Sequence, residues 1–180
     1  FNDNVELPLD DSTSILEFCK RALGDKIIPT LCDDDNLRPY GACRVCSVEV
    51  KYNEDGPKRT VASCHTPISP DMRIYTNSDS VKTLRKNIVE LVLSDHPPEC
   101  LTCEVNGNCE LQDVAASVGV RQIRYPKGAN HLDREKDLSH AYMRMDLSKC
   151  INCSRCVRAC DEVQGQFTLT MTGRGFESRI

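Results

Sequence analysis

Twelve cysteines in 180 residues, gathered mostly into three short loops, constrain this chain more than any other feature. The middle loop, HPPECLTCEVNGNC from His96 to Cys109, presents His96, Cys100, Cys103 and Cys109. Pro97 and Pro98 hold the chain extended and out of a helix, so its ligands can wrap a compact object. A histidine with three cysteines suits a structural zinc ion as well as an iron–sulfur cluster, and this loop alone leaves both open. A secreted disulfide framework is the other use of so many cysteines. The C-x2-C steps at Cys43–Cys46, Cys100–Cys103 and Cys150–Cys153–Cys156 speak against it. Bridging partners would there have to be close neighbours, whereas thiolates that meet on one centre need such spacing. Metal-bound thiolates imply a reducing cytoplasm.

Composition narrows the choice further. The chain is 39% hydrophobic but only 5% aromatic, without tryptophan, which is thin material for a large core. Bound centres are expected to help hold the fold together. A formal charge of -4 and the lack of a basic stripe exclude a nucleic-acid binder. No apolar run is long enough to span a bilayer. No signal peptide is read, and Phe1 is not an initiator, so the natural start is expected to lie upstream.

Along the chain, Val5, Leu7 and Leu9 alternate with polar residues as in a strand. Asp11 to Ser14 offer caps for a helix with Ile15, Leu16, Cys19 and Leu23 on one face and Gly24 at its end. Cys19 lies on that apolar stripe and reads as a core thiol. Cys32, Cys43 and Cys46 follow, spaced by ten and two residues, with Cys64 seventeen residues further on, past a hairpin turning at Asn53 to Pro57. Three ligands in a loop and a distant fourth match the plant-type pattern of a [2Fe-2S] cluster, with a wider first gap. Gly41 and Ala42 leave room for backbone N–H groups to approach its sulfurs. The triplet Asp33 to Asp35 reads as a solvated loop face.

The stretch LRPYGACRVCSVEV resembles the [2Fe-2S] loop at the N-terminus of the large iron–sulfur subunit of respiratory complex I. The same module begins [FeFe] hydrogenases and NAD-dependent, molybdenum-containing formate dehydrogenases. The resemblance implies a β-grasp ferredoxin domain there. It also implies that the H-x3-C-x2-C-x5-C motif of His96, Cys100, Cys103 and Cys109 binds a [4Fe-4S] cluster, displacing zinc.

Met72 to Thr76 reads as a short strand, and a helix after Asp79 carries Val81, Leu84, Ile88, Leu91 and Val92 on one side before ending at Ser94–Asp95. A second helix from about Glu110 to Val118 turns Leu111, Val114, Ala115 and Val118 inward and closes at Gly119. Arg121 to His140 is a connector, and its His131 and His140 receive no role. Cys150, Cys153, Cys156 and Cys160 form the C-x2-C-x2-C-x3-C run of bacterial-type ferredoxins, with Asp161 in place of the usual proline. In such runs the fourth cysteine serves the other cluster. Cys150, Cys153 and Cys156 are therefore expected to share a [4Fe-4S] cluster with a cysteine beyond residue 180, and Cys160 to ligate a further [4Fe-4S] cluster.

The fold class expected is α+β. A β-grasp [2Fe-2S] domain occupies 1–77, a small helical His/Cys [4Fe-4S] domain 78–120, a connector 121–141, and the first half of a 2x[4Fe-4S] ferredoxin-type domain 142–180. The runs CVRACDEVQGQFTLTMTGRGFESRI and SDHPPECLTCEVNGNCELQD most resemble the alpha subunit of NAD-dependent formate dehydrogenase. The diaphorase small subunit of NAD-reducing hydrogenases and complex I-type subunits share the cluster order. The formate dehydrogenase resemblance implies a molybdopterin cofactor C-terminal to residue 180 and a flavin subunit carrying FMN and NAD. A small iron–sulfur subunit would complete the multi-subunit complex. No acid–base or nucleophilic constellation is present, so this segment is expected to carry electrons without a catalytic site. A structural zinc module is the alternative of another class.

Overall fold

The computed structural model describes Pro8, residues 12–126 and residues 135–180. The strand expected at Val5, Leu7 and Leu9 lies outside the described residues, as does His131. The first helix, α1, is Ile15–Leu23. Ser14 caps it by accepting the Glu17 amide, and Glu17 reaches back to the Thr13 amide at 2.7 Å, so two N-terminal donors are satisfied reciprocally. Gly24 closes it with φ +102, a conformation that a side chain would strain.

Three antiparallel strands follow: β1 Ser47–Lys51, β2 Arg59–Ala62 and β3 Arg73–Tyr75, in the order β2-β1-β3. Val48 sits opposite Val61 and Val50 opposite Ile74. The β1–β2 turn is closed by the Gly56 amide on the Asn53 carbonyl, within the expected turn. Because side chains alternate along a strand, Val48 and Val50 share one face and are fully buried against Ile15, Leu16, Phe18 and Cys19 of α1. Cys46 and Cys64 belong to the same apolar cluster. Leu23 was expected on the buried face of α1 but is 37% exposed, and Phe18 takes its place. Cys19 is fully buried, and burial pushes its thiol up to about 11, as a core thiol requires.

The long helix α2, Asp79–Ser94, begins at Ser78, whose hydroxyl accepts the Val81 amide. Its buried positions are Val81, Arg85, Val89 and Glu90, whereas Leu91 is 52% exposed. The expected face was rotated because α2 packs against two neighbours, β1 and the next helix, and not against one. That helix, α3, is Glu110–Ser117, with Leu111 and Val114 buried and Gly119 at φ +73 just beyond it. A second apolar cluster forms there from Leu31, Val45, Val89, Leu111 and Val114. Cys43, Cys109 and Ile151 pack against it, so one cluster touches all three cysteine loops.

Among the described residues the connector contributes one antiparallel bridge, Asp137 with Met145. His140 is exposed and accepts the Tyr142 and Met143 amides through Nδ1. A four-residue helix, α4 Arg155–Arg158, runs on into a π-helical turn, Ala159–Val163. Cys156 and Cys160 were expected one turn apart on a helix; Cys156 lies in α4 and Cys160 in the π-helical turn that continues it. Among the described residues no helix is long and apolar enough to cross a membrane.

Candidate metal centres

The first loop brings its four cysteines together. Cys32, Cys46 and Cys64 are at most 2% exposed, and Cys43 is half-buried. The Cys46 and Cys64 sulfurs are 3.4 Å apart, and Cys32 pairs with Cys43. The hydrogen bond from Cys32 drives Cys43 down to about 6, and the one from Cys64 does the same for Cys46. Cys32 and Cys64, as the donors, are driven up. Backbone N–H groups of Val45, Leu31 and Cys32 also favour the Cys43 thiolate. A buried set of four thiols, two of them already thiolate-prone, fits a cluster that must be held by deprotonated sulfur.

Backbone conformation explains how the amides reach the sulfurs. Gly41 and Arg44 adopt positive φ, +73 and +61, directly around Cys43. In the third loop Asn152 and Ser154 do so at +52 and +58, interleaved with Cys150, Cys153 and Cys156. Alternation of right- and left-handed residues turns successive N–H groups inward and makes a concavity for an anion. The Asn152 amide, for example, donates to Cys150 Sγ at 3.4 Å. Gly41 was the signal read in the sequence, and Asn152 is a residue type that tolerates this conformation; Arg44 and Ser154 give none.

In the middle loop His96 is half-buried, and burial holds its imidazole below the usual value, so it is neutral near pH 7. Nδ1 lies 3.0 Å from the Pro97 carbonyl, which can only accept, so Nδ1 carries the proton and Nε2 is left free to bind metal. Cys103 lies 3.4 Å from Lys149 Nζ; amide donation from Val105 and then this ammonium lower its thiol. Cys109 caps α3 and packs on the second apolar cluster, while Cys100 is exposed. Among the described residues no three Cys, His, Asp or Glu side chains close on a point as ligands of a single ion.

In the third loop burial raises the Cys150 and Cys156 thiols, and the neighbouring charge of Cys153 raises them further. Cys160 meets the chain that follows it. Its sulfur is 3.1 Å from the Thr168 hydroxyl, which together with the Leu169 amide lowers its thiol.

Basic residues that the sequence reading passed over tie the loops together. Arg155 donates to the Leu31 carbonyl at 2.6 and 3.0 Å and pairs with Glu110. Arg158 donates to the carbonyls of Arg38 and Cys32, and Glu162 accepts the Arg38 amide at 2.7 Å. The third loop is thereby fastened to the first, and Lys149 links it to the middle one. Asp33 and Asp35, read as a solvated face, both pair with Lys20 of α1, at 2.9 and 2.8 Å. Asp33 is thereby drawn inward while Asp35 stays exposed, and Lys20, a whole loop away in sequence, could not be matched to them by spacing.

Comparisons with known proteins agree with this layout in chain order. Residues 3–79 match the 2Fe-2S iron–sulfur cluster binding domain. Residues 85–124 match the NADH-ubiquinone oxidoreductase-G iron–sulfur binding region, and residues 141–180 the ferredoxin-like domain of NADH-quinone oxidoreductase subunit 3. The chain is 38% identical to NADP-reducing hydrogenase subunit HndD of Solidesulfovibrio fructosivorans, over 99% of its own length and 30% of that protein's. It is 34% identical to the NADH-ubiquinone oxidoreductase 75 kDa subunit of Reclinomonas americana, over 100% of its length and 25% of that protein's. A chain in the crystal structure of an NAD+-reducing [NiFe]-hydrogenase in the H2-reduced state superimposes with a TM-score of 0.84 at 30% identity, over 98% of this chain and 71% of that one.

Fold and cysteine loops thus define an iron–sulfur electron-transfer module of α+β architecture. The chain belongs to the family of NADH-quinone oxidoreductase G-type N-terminal iron–sulfur regions. It spans less than a third of the length of the curated relatives named above.

Proposed function

We propose that this chain is a multi-centre electron relay within an NAD-linked oxidoreductase complex. Cys32, Cys43, Cys46 and Cys64 would hold a [2Fe-2S] cluster, and His96, Cys100, Cys103 and Cys109 a [4Fe-4S] cluster. Cys150, Cys153 and Cys156 would hold a second [4Fe-4S] cluster, and Cys160 would serve a further one. Such clusters take up and release single electrons. The residues of the chain supply spacing and electrostatics: inward amides, the Nδ1-locked His96, and the basic ties between loops. The observation that carries the reading is the single apolar cluster against which Cys43, Cys109 and Ile151 all pack, seating three ligand loops on one support.

At the finer level, the alpha subunit of a formate dehydrogenase remains the reading favoured by the runs around Cys109 and Cys160. Electrons would then come from a molybdopterin site and pass to FMN and NAD on a diaphorase-type subunit, with a small iron–sulfur subunit alongside, in the cytoplasm. Likeness to HndD over almost the whole chain favours a second reading, a hydrogenase subunit.

The assignment of Cys160 to a cluster other than that of Cys150, Cys153 and Cys156 gives the test. Iron counting on the 180-residue chain should find about six stably bound irons, two in the first centre and four in the His96 centre. A stable count of about ten that falls by four on Cys160→Ala would mean that Cys160 closes a cluster with Cys150, Cys153 and Cys156, and would overturn its assignment.

A further inference from the structure

Arg85 is the least expected residue in the interior. It lies on α2, is 5% exposed, and donates through Nε and Nη2 to the carbonyl of Ser47, at 3.0 and 2.7 Å. Ser47 is itself 1% exposed and directly follows Cys46. A buried cation is costly without a counter-charge, and breaking such a pair is strongly destabilising. The acidic residue buried on the same helix, Glu90, is engaged by Arg124 at 2.6 Å. Among the described residues no carboxylate forms a salt bridge with Arg85; burial lowers the guanidinium only to about 10, so it stays charged near neutral pH.

We infer that Arg85 is the buried counter-charge of the first metal centre and a positioning residue that sets its reduction potential. This rests on the reading of Cys32, Cys43, Cys46 and Cys64 as ligands of a [2Fe-2S] cluster. A cluster held by four thiolates is a net anion and gains one further negative charge on reduction, so a fixed cation favours the reduced form. The path is short. The guanidinium grips the carbonyl of the residue that follows Cys46, and Cys46, Ser47 and Val48 are all at most 1% exposed, so little water reaches that stretch to screen the charge. The same hydrogen bonds also fix the end of the ligand loop where β1 begins. A purely mechanical role would need those bonds but not the charge.

Two variants of the full protein separate charge from grip. Arg85→Gln keeps a donor for the Ser47 carbonyl and removes the charge; Arg85→Lys keeps the charge with a single donor group. Midpoint potentials are read by redox titration of the [2Fe-2S] paramagnetic signal. Arg85→Gln should make reduction at least tenfold less favourable, a fall of about 59 mV for one electron. Arg85→Lys should stay near the wild-type midpoint. An unchanged midpoint in Arg85→Gln, or an equal fall in both variants, would overturn the inference. If Arg85→Gln incorporates no cluster, Arg85→Lys decides alone: a midpoint near wild type supports the charge, and a tenfold fall overturns it. Absence of any [2Fe-2S] signal in the wild-type protein would instead defeat the ligand reading beneath it.

Discussion

Replacing Cys64 by alanine should abolish the [2Fe-2S] paramagnetic signal of the reduced protein and leave its [4Fe-4S] signals in place. Cys64 comes from the end of β2, far along the chain from Cys32, Cys43 and Cys46, yet its sulfur lies 3.4 Å from Cys46. It is 2% exposed, so no solvent thiol or water can readily stand in for it. The other ligand loops are fastened through different atoms, Lys149 to Cys103 and Arg155 to Leu31, which the substitution leaves alone. The effect should therefore be complete for one centre and slight for the others. Survival of all the signals would show that Cys64 is a core thiol like Cys19.

His96→Cys should keep a cluster but lower its potential. The native imidazole is neutral, with its proton fixed at Nδ1 by the Pro97 carbonyl, so it brings no charge to the cluster through Nε2. A thiolate in its place adds one negative charge and disfavours the reduced state. Lys149, placed against Cys103, is common to both forms, as are burial and neighbouring centres, so the comparison isolates the ligand. A tenfold change in the reduction equilibrium, about 59 mV, is the scale to look for. An unchanged potential and spectrum would mean that His96 never touched the iron.

Local chemistry was the legible part of this chain. Ser14, Gly24, the Asn53–Pro57 turn, α2 from Asp79 to Ser94 and α3 from Glu110 each carried a capping or turn signal in the sequence, and each element formed there. The grouping of Cys32, Cys43, Cys46 and Cys64 was likewise foreshadowed by spacing. What could not be read was long-range. Leu91 was placed inward and Arg85 was passed over because periodicity reports one apolar stripe, whereas α2 is buried from two sides. Lys20, Arg155 and Arg158 look like solvated surface residues until the fold brings Asp33, Leu31 and Cys32 beside them. Their targets are mostly backbone carbonyls, which carry no mark in the sequence. Cys156 and Cys160 were expected one turn apart on a helix, and the π-helical turn that begins at Ala159 and holds Cys160 has no compositional signature.

Acid-labile sulfide, measured on the anaerobically purified protein, tests the central claim most directly. Iron–sulfur clusters contain inorganic sulfide, and zinc bound by cysteine and histidine contains none. If the loops at Cys32, His96 and Cys150 form an electron relay, the protein is brown and carries at least about six sulfides per chain, matched by iron. A colourless protein with zinc in the same loops and no labile sulfide would contradict it.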